Sequence, residues 1–188
     1  HIHWDGSIPA EDLFDFYQAE GQTLLLPEKD VAGNPLTYES EKERVIDSPE
    51  KLREFQTGLL TKYGIVDVFA VPVGAMQTKE SLKAMARAHC RYLKEHNIPS
   101  AETRFAPIYH TGEGLSMNQV IGYALEGFAQ GEEETGVQVN PIICINREVD
   151  PDTGEIIVKA ALDFAERGVV GIDLACFEPP FPPDKFLS

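Results

Sequence analysis

His1-Ile2-His3-Trp4-Asp5-Gly6-Ser7-Ile8 opens the chain. On an extended strand alternate side chains share a face, so His1 and His3 project together and can hold one divalent ion between two imidazoles. Asp5 falls two residues further along that face. Gly6 permits a sharp turn, so the strand is expected to give way to a loop just after the histidines. The spacing alone leaves a second reading open, since strand histidines also occur in cores and on surfaces without metal.

The remaining chain divides into periodic segments. Pro9 suits a first helical turn capped by Ser7 or Asp12, and Leu13, Phe14, Phe16 and Tyr17 recur at helical spacing, predicting a helix over 8–20 that ends at Gly21. Residues 22–48 read as a polar, irregular lid or insertion with a turn at Gly33-Asn34-Pro35. Ser48-Pro49-Glu50 starts a helix with Leu52, Phe55, Leu59 and Leu60 on one stripe. A short helix over 66–75 and a longer one over Thr78–Asn97 follow. The longer one carries Leu82, Met85, Ala86, Cys90 and Leu93 on one face, with His89 and His96 read as structural or exposed.

Beyond residue 99 strands and helices alternate. Strands are expected at Ser100–Phe105, Val137–Asn146 and Val169–Ala175, with helices at Ser116–Thr135 and Asp152–Arg167 between them. That alternation specifies parallel βαβ units. With the histidine strand there are four strands, half of what a (β/α)8 barrel needs. The expected fold is therefore α/β, about the first four β/α units of a TIM barrel. It forms one domain over 1–188, in which residues 22–98 are a loop and helical insertion after the first unit. A chain that starts at a candidate ligand rather than Met reads as part of a longer one, and the half barrel would carry two exposed strand edges.

Of the 188 residues 43% are hydrophobic, and none of the apolar runs is long enough to span a bilayer. A net charge of −15 argues against a nucleic-acid partner. Cys90, Cys144 and Cys176 are widely spaced and read as reduced thiols of a cytoplasmic protein.

Three other groups invite a role. Glu102 and Arg104 share a strand face and are expected to form a buried ion pair. His110 lies at the functional rim and is given a structural role. Asp173, in an apolar strand, is expected to bond a backbone group or a neighbouring strand.

The string His-x-His-x-Asp-Gly-Ser over residues 1–7 resembles the opening motif of the adenosine deaminase family of metal-dependent amidohydrolases. Glu102-Thr103-Arg104-Phe105-Ala106-Pro107 and Val170-Gly171-Ile172-Asp173-Leu174-Ala175 are similar to two later strand-end signatures of that family, in the expected order. The resemblance implies a barrel of the metal-dependent hydrolase type and hydrolytic deamination of adenosine or adenine. It implies one Zn2+ per site, with His1 and His3 as metal ligands and His3, Asp5 and the backbone amide of Cys176 as purine contacts. Phe55 would be an apolar wall. The catalytic acid and base, and the remaining ligands, would come from strands beyond Ser188, so the segment alone is expected to be inactive. Cys176 stands where the family usually has glycine, and Trp4 where a smaller apolar residue is usual. Two other readings stay open: another amidohydrolase with the same His-x-His opening, and a non-catalytic binding module.

Overall fold

Strands β1 (Ile2–His3), β2 (Ser100–Phe105), β3 (Gln138–Asn146) and β4 (Gly171–Ala175) form one parallel sheet in the order β1-β2-β3-β4. The computed structural model describes residues 1–26, 28, 35–62 and 69–186, with backbone only for 58–62. Among the described residues β1 and β4 each pair on one side only, the two open edges that four strands of a barrel imply. The register aligns His3 with Arg104, Arg104 with Ile142, and Cys144 with Asp173, so these side chains share the inner face. Ala101, Phe105, Val139, Ile143 and Ile145 face the other way and are buried beneath the helices. This is the partial (β/α)8 architecture expected from the alternation of elements.

Helices run along the outside. The first, α1 (Ala10–Ala19), is followed by the single turn α2 (Glu41–Arg44), α3 (Pro49–Lys62), α4 (Ala70–Ala75) and α5 (Lys79–Glu95), all between β1 and β2. α6 (Met117–Thr135) and α7 (Pro151–Leu162) connect the later strands. Capping boxes start α5 at Thr78 with Ser81 and α6 at Ser116 with Gln119, and Asp150 caps α7 through the Thr153 amide. α5 and α6 lie close because α6 has glycine where they cross. A Cβ at Gly127 would stand 2.6 Å from that of Ala86, and one at Gly131 would stand 2.6 Å from Cys90 Sγ.

Several boundaries differ from expectation. Pro9, in an extended conformation, precedes α1 as its cap, and neither Ser7 nor Asp12 caps it. The described residues of the 22–48 stretch are less irregular than its polarity implies: Leu25 bridges Val45, and Leu24, Leu26 and Ile46 are buried. The Gly33-Asn34 turn, the side chains of Leu59 and Leu60, and residues 66–68 of the expected short helix lie outside the described residues. The last helix stops at Leu162 because Phe164 leaves the helical path to bury its ring against Gly122; a separate turn follows at Ala165–Arg167. Among the described residues no helix is long and apolar enough to cross a membrane.

Candidate active site

At the C-terminal end of β1 the imidazoles of His1 and His3 converge, their Nε2 atoms 3.3 Å apart. Two nitrogens each bonded at about 2.0–2.1 Å to one tetrahedral zinc ion stand about 3.3–3.4 Å apart, so the pair fits a shared ion. The same separation also suits a hydrogen bond between neutral rings, one donating and one accepting. Asp173 of β4 brings a carboxylate oxygen to the pair, the three ligand atoms all lying within 4.8 Å of one another. Burial lowers the pKa of His3, which keeps its ring neutral and its lone pair available.

Asp173 is also the partner of Arg104, whose Nη1 donates to its Oδ2 at 2.8 Å. The expected pairing of Arg104 with Glu102 is not made, and Glu102 is exposed. Side chains two apart on one strand point the same way and stay apart, whereas a curled sheet turns those of β2 and β4 toward each other. The Asp173 partner is thus two strands away rather than on a neighbouring strand.

Asp5 is reached differently from the strand alternation expected for it. Trp4–Gly6 form one turn of 3-10 helix, and this turn tucks the Asp5 carboxylate inward, where it is 2% exposed. Its Oδ2 accepts from the Ala106 amide at 3.0 Å, while Oδ1 has no hydrogen-bond partner among the described residues. Trp4 is buried between Phe105 and Phe128, each 5.1 Å from it edge to face, and its Nε1 donates to the Met85 carbonyl. Gly6 is required by proximity rather than by its dihedrals. A Cβ there would lie 2.5 Å from the Phe69 ring, which also meets His3 edge to face.

A cavity of about 250 Å3 opens beside these groups, and its lining includes His3, Asp5, Phe69, Tyr109, Cys144, Asn146, Cys176 and Phe177. Cys176 has φ 80°, a left-handed conformation that glycine adopts freely and a residue with Cβ does not. Its Sγ lies 3.8 Å from the Tyr109 hydroxyl, and burial pushes its thiol pKa up to about 11. Burial likewise raises Cys144 and Tyr109, so these three groups of the wall are uncharged at neutral pH. Phe55 is half-buried against the core and does not border this cavity; Phe69 fills the role expected of it. Of the remaining histidines, His110 lies buried beside Asp5, while His89 is buried against Thr103 Oγ1, with its pKa lowered to about 4 by desolvation, and His96 is exposed.

Sequence reasoning missed Phe69, Tyr109, Asn146 and Phe177. The only local signal was position, since Tyr109, Asn146 and Phe177 all follow or end strands at the same rim.

A family profile described as adenosine deaminase matches residues 1–188. The chain belongs to the adenosine deaminase family. An adenosine deaminase of Enterococcus faecalis is 37% identical over 99% of this chain and 50% of its own length. Among solved structures, an adenine deaminase of Arthrobacter aurescens aligns with a TM-score of 0.69 at 23% identity, covering 99% of this chain and 50% of its own. An amidohydrolase of Burkholderia ambifaria crystallised with bound Zn aligns with a TM-score of 0.64 at 20% identity, covering 99% and 45%. These two structural likenesses are of fold. The chain spans about half the length of the curated deaminase relatives it matches.

Proposed function

We propose that the intact protein hydrolytically deaminates an adenine-type purine, adenosine or adenine, and that this chain supplies the first four β/α units of its barrel. The observation that carries the reading is the His1–His3 pair, 3.3 Å between Nε2 atoms, beside the cavity bordered by His3, Asp5 and Cys176. The activity named for the Enterococcus relative and the zinc of the Burkholderia amidohydrolase support it.

In this reading His1 and His3 hold a zinc ion, which when bound lowers the pKa of water toward ~7. The chain's own groups then bind and orient the purine. His3 and Asp5 face it, Asp5 accepting from a sugar hydroxyl or holding the loop in shape, and the Cys176 backbone N–H orients the ring. Phe69 and Tyr109 supply apolar walls that exclude water. Water adds at the amine-bearing carbon, ammonia leaves, and a carbonyl remains on the ring. The groups that move protons are assigned to the second half of the barrel, which would also cover the open edge of β4. The 188 residues alone are accordingly proposed to be inactive, since a catalytic zinc-binding set of three protein ligands plus water is not met by two imidazoles. The uncombined thiols of Cys90, Cys144 and Cys176 support a reducing, cytoplasmic setting.

The experiment is ammonia release by the intact protein from adenosine, adenine and related aminopurines, with and without added zinc. Zinc-dependent turnover of one of them is expected. Absence of turnover for all of them in protein with bound metal would overturn the reading.

A further inference from the structure

His110 is wholly buried, yet only one of its ring nitrogens has a hydrogen-bond partner among the described residues. Nδ1 lies 2.9 Å from the Met76 carbonyl. A carbonyl can only accept, so Nδ1 carries hydrogen and donates, which leaves Nε2 as the free nitrogen. The Trp4 and Phe105 rings lie beside the imidazole at centroid distances of 6.2 and 6.5 Å and limit its rotation. The free Nε2 stands 3.9 Å from Asp5 Oδ2. On a ring with hydrogen at Nδ1 alone, Nε2 would turn its lone pair on the carboxylate, two acceptors facing each other; a second ring hydrogen makes Nε2 a donor and the contact a charge-assisted hydrogen bond.

The surrounding elements explain what that bond would accomplish. Asp5 follows β1, whereas Ala106 and His110 follow β2, so the carboxylate joins two strand ends. Met76, which holds the ring, ends α4, and Phe69 at the start of α4 packs on Gly6 and His3. We propose that His110 is the positioning residue for Asp5: as an imidazolium with hydrogen on both nitrogens, anchored through Nδ1–H on Met76, it donates Nε2–H to the carboxylate and holds it in the orientation that meets the purine substrate. Hydrogen bonds of this kind are commonly long in an empty site and shorten in the occupied one. The Met76 tether alone would be a structural role, and the two roles use different nitrogens.

That difference provides the test, which rests on the deaminase reading only for its kinetic half. An asparagine amide reaches the place of Nδ1, a glutamine amide the place of Nε2. In the intact protein His110→Phe and His110→Asn are expected to raise KM for the aminopurine about tenfold, the value of one hydrogen bond to a charged group, with kcat retained. His110→Gln is expected to keep KM near that of the unsubstituted protein. The second measurement is Tm for Asp5→Ala, His110→Phe and the two combined. Positioning predicts that the combined loss is smaller than the sum, because both substitutions remove one contact. An unchanged KM in the asparagine variant, a glutamine variant as impaired as phenylalanine, or additive Tm losses would each overturn the proposal. Should the protein turn over no aminopurine, the deaminase reading falls and the Tm comparison still decides the role of His110.

Discussion

Replacing Cys176 by glycine should stabilise the protein relative to replacing it by alanine, the reverse of the usual order. Both substitutions delete Sγ and its 3.8 Å contact with Tyr109, so their difference isolates the backbone. At φ 80° a residue with Cβ bears about 1–2 kcal/mol of strain in the left-handed region, which glycine escapes. Against this, glycine loses about 0.5–1 kcal/mol more conformational freedom on folding than alanine. Subtracting the midpoints leaves the glycine variant ahead by roughly 0.75 kcal/mol. Urea unfolding of the intact protein, comparing the midpoints of the two variants at equal slope, measures this difference. Equal stability, or an alanine variant that is the more stable, would refute the argument and mean that the backbone at this rim relaxes out of the left-handed region.

Two further outcomes follow from buried charge. His89 has its pKa lowered from 6.5 to about 4, so the folded state keeps the ring neutral while the unfolded chain takes up a proton below pH 6.5. The stability contributed is present in full above 6.5 and is lost as pH falls toward 4, about 3 kcal/mol in all; unfolding free energies measured across that window should fall more steeply than in His89→Gln, and parallel profiles would contradict it. Arg104→Met leaves the Asp173 carboxylate without its guanidinium. With Asp173 29% exposed the loss should be about 2–3 kcal/mol, below the 3–5 of a fully buried pair, and a denaturation midpoint that does not move would exclude the pair as a stabilising contact.

The parts of this fold legible in the sequence are those written in local periodicity. The buried stripe of α5, Leu82, Met85, Ala86, Cys90 and Leu93, repeats at helical spacing, and its cap Thr78 sits one residue before it; the element was therefore recognisable without tertiary information. The strand ends of β2 and β4 were legible through motif. What was not legible depends on how elements meet. Phe69 reaches the cavity only because α4 lays it on Gly6, and Phe55 misses it because α3 turns that ring toward the core. Asp5 sits on the right side for the wrong reason: a 3-10 turn, not a continued strand, carries it inward.

Arg104 and Asp173 expose the physical source of those errors, and also of the site. Strands lie about 4.8 Å apart, so β1 and β4, three steps apart, would be separated by about 14 Å in a flat sheet. Yet the ligand atoms of His1, His3 and Asp173 lie within 4.8 Å of one another. Side-chain reach accounts for part of the difference, and curvature must supply the rest. Curvature turns the inner residues of β1, β2 and β4 toward a common axis, and Arg104 reaches across β3 to fix Asp173 there. Every residue on one strand sees its own neighbours in the same way whether the sheet is flat or curled, so no spacing within a strand could reveal this convergence. The candidate metal pair is local to three residues, but the third carboxylate beside it belongs to the barrel.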